Sequence, residues 1–166
     1  MSSPRIRLAT ADDLVRVREI VNHYIERSVF NFRTEPQSLD EVRATWEKLH
    51  RRFPWLVAEI DDRVIGAAYA GPWNERAAYQ WTAEVTVYID ESAHRLGVGD
   101  ALYTELLDQL RRNGFHSAVA VIALPNDPSV RLHERHGFEH VGHLHEAGFK
   151  HDAWHDVGFW QCRLAR

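Results

Sequence analysis

A strand, a helix and a second strand follow one another in the second half of the chain, and this order most constrains the fold. The stretch 81–89 is rich in β-branched and aromatic residues, which favours a strand, and 97–112 has the apolar spacing of a helix. The helix closes at Asn113-Gly114, a pair typical of a C-cap, before a strongly apolar strand at 118–124. Strands that alternate with helices predict a sheet covered by helices.

The rest of the chain predicts elements of the same two kinds. Thr10 and Ser38 are candidate N-caps of two helices, and Asp61-Asp62 is a turn that joins two antiparallel strands. Gly71-Pro72 breaks the strand pattern, and Pro128 opens a short helix at its first position. We predict one domain, 1–166, of the mixed α+β class with helices on both faces of a central sheet. Its strands are expected at 5–8, 55–60, 64–69, 81–89, 118–124, 139–145 and 155–164.

Composition excludes several classes of function. The 166 residues are enough for a core, the net charge is −4, and no dense Lys/Arg run is present. Nucleic acid and anionic membrane surfaces are therefore not expected as partners. The single cysteine, Cys162, excludes an intramolecular disulfide, and the sequence contains neither a signal-peptide core nor a membrane span. We expect a soluble, cytoplasmic protein.

A glycine-containing turn precedes the central helix and predicts an anion site. The segment His94-Arg95-Leu96-Gly97-Val98-Gly99 lies where glycines allow close backbone approach and where free N–H groups and the helix dipole meet. Such a turn can hold a pyrophosphate. It lacks the third glycine of a dinucleotide-binding turn and the Lys-Ser/Thr pair of a nucleoside-triphosphate loop. A tight turn without a ligand is an equally good interpretation of this segment alone.

With its surroundings, this turn resembles that of the GNAT superfamily of N-acetyltransferases. The features that match are the strand before the turn, Asn126, the short helix and Gly137-Phe138. Longer strings resemble the branch that acetylates phosphinothricin: 21–26, 31–36, 54–59, 68–73, 81–84, 124–131, 147–151 and 154–161. The resemblance implies a GNAT-like fold, with a mostly antiparallel mixed sheet flanked by helices. It also implies acetyl-CoA as co-substrate, no metal, an amino-acid-like small molecule as acceptor, and a homodimer.

The resemblance also implies which residues bind the coenzyme. The turn binds the pyrophosphate, the strand before it pairs with the pantetheine arm, and Asn126 hydrogen-bonds the coenzyme. His94 stands where the superfamily usually has Gln or Arg. The expected coenzyme-binding residues are Val85, Thr86, Val87, Tyr88, Ile89, His94, Arg95, Leu96, Gly97, Val98, Gly99, Asn126, Ser129 and Arg135.

Amide formation requires a neutral amine, so a general base is needed at neutral pH. Glu84, flanked by Trp81 and Val85, should be partly desolvated, which would raise its pKa. The resemblance implies that Glu84 is this base, acting through one water; an exposed glutamate paired with an arginine is the alternative. Backbone N–H groups near Val85 to Val87 are expected to stabilise the oxyanion.

His133 occupies the position of the superfamily's leaving-group tyrosine, as it does in the phosphinothricin branch, and is a candidate donor to the thiolate. A covalent acetyl-cysteine is not expected, because Cys162 lies near the C-terminus without a base motif.

The acceptor-binding residues are also inferred from the resemblance. Arg76 is a candidate partner for a carboxylate or phosphinate, since a guanidinium binds such oxyanions in a planar fork. Asn74 replaces the basic residue usual after Gly-Pro-Trp, which bears on the acceptor preference. The expected set is Phe32, Arg33, Trp73, Arg76, Tyr79, Glu84 and Lys150.

Other functions remain open at this point. The chain could instead acetylate methionine sulfoximine, methionine sulfone or a tryptophan-like amine. It could also be a sensor that binds acyl-CoA without catalysis. Glu84 argues against a sensor, which needs no base. His143 and His145 lie at alternate positions of one predicted strand, but the chain has neither cysteine partners nor a His-Glu-x-x-His motif. We therefore predict no metal site.

Overall fold

The computed structural model describes residues 2–164, and within them four helices flank one sheet. The helices are α1 (Leu14–Arg27), α2 (Leu39–Leu49), α3 (Val98–Arg112) and α4 (Asp127–Arg135). The strands are β1 (Arg5–Leu8), β2 (Trp55–Ile60), β3 (Arg63–Pro72), β4 (Thr82–Ile89), β5 (Ser117–Leu124), β6 (Glu139–Lys150) and β7 (Ala153–Arg163). No described helix has the length and apolar character that crossing a membrane requires.

The sheet is mixed and mostly antiparallel, as predicted. Its seven strands lie in the order β1-β2-β3-β4-β5-β7-β6, and β4 and β5 form its parallel pair. That pair is short, because Thr82 to Glu84 pair with Ser117 to Val119 and the pairing then ends. Beyond Glu84 the two strands diverge, which opens a cleft in the middle of the sheet.

Helices cover both faces of the sheet, each over its own apolar core. On one face, α3 buries Leu102, Leu106 and Leu110 completely. On the other, α1 packs Val17 and Ile25 against β2 and β3. Full burial of such side chains contributes about 1.5–3 kcal/mol each, so these two layers hold the cleft walls in place.

Several segment boundaries differ from the sequence prediction. Gly71-Pro72 does not end β3, which runs to Pro72; beyond Tyr69 it pairs with β4 but no longer with β2. A proline is tolerated there because a strand edge without a partner needs no N–H. The closing strands are also longer than predicted and meet at His151-Asp152, whose φ values of 51° and 57° suit a two-residue hairpin turn. The short helix α4 begins at Asp127, so that Pro128 is its second residue.

Candidate active site

The cleft between β4 and β5 widens into a cavity of about 710 Å³. Pockets of this size hold cofactors and drug-sized ligands. Its walls are β4, β5, the start of α3, α4 and the α1–α2 loop, residues 28–38. Every residue predicted to bind the coenzyme lines it except Leu96, whose side chain is exposed at the turn.

The two glycines of the turn, Gly97 and Gly99, are needed for different structural reasons. Gly97 caps α3 with φ of 73°, and a Cβ built there would meet no atom within 4 Å. A Cβ on Gly99 would lie 3.2 Å from the Leu132 side chain, so Gly99 lets α3 and α4 pack closely. The first-turn N–H groups of α3 have no partners within the helix and carry its positive dipole end. Because Gly97 leaves open space in front of them, the turn fits a pyrophosphate.

One backbone edge of β4 faces the cleft. The Asp90 N–H donates to the Ile65 carbonyl of β3, so the backbone groups of Ile89 point away from β3, and the Ile89 carbonyl accepts from the Tyr24 hydroxyl at 2.5 Å instead. Alternate residues of an antiparallel strand present their backbone groups to the same side, so those of Val85 and Val87 do as well. Past Glu84 no β5 residue pairs with this edge. It can therefore pair with a ligand that carries amide groups.

Glu84 lies at the point where β4 and β5 separate and lines the cavity. Burial raises the pKa of its carboxyl group, and no described residue hydrogen-bonds or pairs with it. Trp81 does not bury the Glu84 carboxylate, contrary to prediction. Side chains three positions apart along a strand face opposite sides of the sheet, and Trp81 packs on Phe115 instead. Tyr88, on the same face of β4 as Glu84, contributes to the wall around it instead, as does Tyr69 on β3.

His133 is buried on α4 and held by two contacts. Its Nδ1 lies 2.7 Å from the Ser129 carbonyl oxygen, and its Nε2 lies 2.7 Å from the Tyr103 hydroxyl. Because a carbonyl oxygen only accepts, Nδ1 bears the hydrogen, and Nε2 accepts from Tyr103. Burial lowers the pKa of His133 to about 4, so the imidazole is neutral at pH 7. Tyr103, which sequence reasoning missed, lines the cavity beside it.

Comparison with known proteins places this chain in a family. The model of the acetyltransferase (GNAT) domain matches residues 6–158. The chain belongs to the GNAT acetyltransferase family. It is 58% identical over 156 residues, 94% of this chain and 85% of the relative, to phosphinothricin N-acetyltransferase of Streptomyces viridochromogenes.

Two further relatives extend the comparison. The L-methionine sulfoximine/L-methionine sulfone acetyltransferase of Salmonella typhimurium is 32% identical, with 96% of this chain and 94% of that protein covered. A crystal structure of a GNAT phosphinothricin acetyltransferase from Sinorhizobium meliloti, in complex with acetyl-CoA, superimposes with a TM-score of 0.95 at 32% identity. That match covers 99% of this chain and 90% of the other. The chain is therefore an acetyltransferase with the GNAT fold.

The residues predicted to bind the acceptor are not gathered in one place. Phe32 and Glu84 line the cavity, whereas Trp73 and Tyr79 line a separate shallow depression of about 400 Å³. Arg33 pairs with Glu41 at 3.3 Å, and Lys150 is buried behind the cavity wall. Arg76 lies in the β3–β4 connection, where its backbone N–H donates to Asn74.

Other residues that line the cavity are absent from both predicted sets. They lie on α1, the α1–α2 loop and β3, and their convergence has no periodic signal in the sequence. The set is Tyr24, Phe30, Asn31 and Tyr69.

Two of the remaining histidines, His143 and His145, lie next to Asp156 on the β6–β7 hairpin, with ligand-type atoms within 4.8 Å of one another. The Asp156 carboxylate already accepts from His143 at 2.7 Å and from the Glu146 N–H at 2.8 Å. These hydrogen bonds account for the cluster without a metal, and none of the similar proteins points to a metal-dependent family.

Replacing Gly97 by Ala is expected to weaken acetyl-CoA binding about 5- to 30-fold, because an L-residue at its φ of 73° is strained by roughly 1–2 kcal/mol, the free turn relaxes to relieve that strain, and binding must restore it. Calorimetric titration with acetyl-CoA measures this. Gly114→Ala is the matched control, since Gly114 has φ of 81°, equal open space and lies beyond the opposite end of α3. Equal affinity in both variants would place the pyrophosphate elsewhere.

Proposed function

We propose that this acetyltransferase transfers the acetyl group of acetyl-CoA to the α-amine of phosphinothricin or a similar amino-acid analogue, with Glu84 as general base. The observation that carries the proposal is the half-buried Glu84 carboxylate, without a partner among the described residues, where β4 and β5 diverge. A 58% identical relative is a phosphinothricin N-acetyltransferase, which supports this acceptor.

The roles of the site residues follow from their chemistry. Bound acetyl-CoA supplies a thioester carbonyl that an amine can attack. Glu84 accepts the proton that the substrate ammonium group must lose, through one water. The N–H groups of Val85 and Val87 face the cleft and donate to the oxygen on which negative charge develops.

Asn126 lines the cavity from the N-cap of α4, where its Oδ1 accepts from the Ser129 N–H at 3.4 Å. Its amide N–H groups remain able to donate to the coenzyme.

When the thiolate of coenzyme A leaves, His133 acts on it only through Tyr103. A neutral His133 whose hydrogen is on Nδ1 has none on Nε2, the nitrogen that Tyr103 contacts. His133 therefore accepts the single Tyr103 hydrogen in the free protein, and the Tyr103 hydroxyl must turn from Nε2 to the leaving sulfur in order to donate to it. This refines the sequence-based proposal that His133 itself is the donor.

Methionine sulfoximine is the second candidate acceptor. The wall around Glu84 is aromatic, and Arg33, Arg76 and Lys150 do not line the cavity of this protomer. A neutral side chain suits such a wall, because an unpaired charge there loses its hydration. A 32% identical relative acetylates methionine sulfoximine and methionine sulfone, which supports this alternative.

Steady-state kinetics decide between the two acceptors. We expect kcat/KM for phosphinothricin to exceed those for methionine sulfoximine, glutamate and tryptophan, measured side by side by thiol release from acetyl-CoA. If methionine sulfoximine ranks first, the reaction class stands and the preferred acceptor changes. If none of the four is acetylated, the proposed function is wrong.

We also propose that the protein is a homodimer and that it is located in the cytoplasm. The exposed apolar side chains Val121 and Val141 lie with Trp73 and Phe159 on the α1 side of β5, β7 and β6, beyond the strands that α1 and α2 cover. Contiguous apolar surface of this kind is typical of an interface. The buried free thiol of Cys162 suits a reducing compartment.

We expect Val141→Asp to convert a dimer into a monomer in light scattering, with Val15→Asp on α1 as the exposed-valine control. A monomeric wild type would contradict the dimer.

A further inference from the structure

Lys150 is buried near the end of β6 and contacts backbone rather than the cavity. Its side chain is 5% exposed, and its Nζ donates to the carbonyls of Ile25 and Asn31, each at 2.6 Å. No described carboxylate pairs with it. The Ile25 carbonyl lies in the last turn of α1, where carbonyls have no partner within the helix and the dipole favours a cation. Lys150 thus joins the end of α1 to the α1–α2 loop.

Asn31 extends this connection to the catalytic strand. Its Nδ2 donates to the Tyr88 hydroxyl at 3.0 Å, and its Oδ1 accepts from the Arg33 N–H at 2.8 Å. Tyr88 lies on the same face of β4 as Glu84, and both line the cavity. A continuous set of hydrogen bonds therefore runs from the β6–β7 hairpin through the loop to the wall beside the proposed base.

Gly148, two residues before Lys150, has a separate contact with the same loop. A Cβ built on Gly148 would lie only 2.2 Å from the Phe32 ring. Phe32 lines the cavity from the α1–α2 loop. The absence of a side chain at 148 is what allows the ring to occupy this position.

We propose that Lys150 and Gly148 are positioning residues that together set the shape of the acceptor end of the cavity, by holding the α1–α2 loop and Phe32 against the β6–β7 hairpin. The effect on acceptors rests on the proposed function, whereas the effect on the loop does not. This role replaces a direct contact between Lys150 and the acceptor. The two roles make different predictions about charge.

The first test compares an acceptor with an anionic side chain and one with a neutral side chain. Lys150→Met should raise KM for phosphinothricin and for methionine sulfone by the same factor, about 10- to 100-fold, as for a displaced positioning group. KM for acetyl-CoA should not change. The control is Lys48→Met, which removes an exposed lysine on α2. A loss confined to phosphinothricin would show a direct charge contact and overturn the proposal.

The second test is a double-mutant cycle on Gly148 and Phe32. Gly148→Ala should lower kcat/KM for both acceptors, because Phe32 must move. In a Phe32→Ala background the same change should have no further effect. Gly142→Ala is the control on the same strand, since its Cβ would meet Phe159 at an ordinary 3.5 Å. Additive effects in the cycle would contradict the role of Gly148.

Hydrogen exchange tests the clamp, that is, the hold of Lys150 on the α1–α2 loop, without any substrate. Amides of the α1–α2 loop should exchange faster in Lys150→Met than in the wild type or Lys48→Met, while α3 stays protected. Unchanged loop exchange would overturn the clamp even if acetylation were confirmed. Faster loop exchange in a protein that acetylates no acceptor would leave the clamp standing and the proposed function wrong.

Discussion

Glu84→Gln is expected to lower kcat by roughly 10²–10⁴-fold, the range for loss of a general base. The substitution keeps the shape of the side chain and removes its ability to accept a proton. It should leave the fold and acetyl-CoA affinity unchanged, because no described residue depends on the carboxylate as a hydrogen-bond or ion-pair partner. Glu139→Gln, on the exposed side of β6, is the control. Stopped assays of thiol release measure kcat, and calorimetry measures acetyl-CoA affinity.

The pH profile adds a second readout for Glu84. Burial raises the pKa of its carboxyl group above the ordinary value, and the base acts only when deprotonated. Activity should therefore increase with pH through this raised pKa, and the acidic limb should vanish in the Gln variant. A Gln variant with near-normal kcat across about pH 6 to 9 would contradict the assignment.

Leu102→Ala is expected to destabilise the fold by about 2–5 kcal/mol, which lowers Tm by roughly 4–20 °C. Leu102 is 0% exposed on α3, the helix that presents the turn to the cavity, and the surrounding core can collapse only in part around a smaller side chain. Thermal and denaturant unfolding measure the loss. Leu144→Ala, at a residue 50% exposed on β6, should change stability by less than about 0.5 kcal/mol. Equal losses in the two variants would mean that α3 is not anchored by this core.

Local signals in the sequence were sufficient for most elements of the fold. The hairpin at Asp61-Asp62 was predictable because both residues tolerate positive φ, and they adopt 49° and 61°. The C-cap of α3 was predictable from Gly114, which has φ of 81°. The extensions of β3, β6 and β7 were not, since they depend on which strand edges find partners across the sheet.

The geometry of the proposed coenzyme end of the cavity was more predictable than that of the proposed acceptor end. Val85 to Ile89 and the turn at Gly97 belong to one strand-turn-helix unit, so their order along the chain nearly determines their arrangement. The remaining cavity wall brings together Tyr24, Phe32 and Tyr69 from three separate elements, and no local pattern in the sequence records their convergence. Lys150 illustrates the difficulty: its charge suggested a substrate partner, whereas its position made it a donor to backbone carbonyls.

The most direct measurement of the central claim follows free thiol and acceptor together in one reaction. Acetyl-CoA and phosphinothricin are incubated with the enzyme, thiol release is recorded, and the acceptor is analysed by mass spectrometry and NMR. We expect one thiol released for each phosphinothricin acetylated on its α-amine, with little release when the amine is omitted. Thiol release that does not depend on the amine, or acetyl-CoA binding without release under any condition, would contradict direct transfer to an amino-acid analogue.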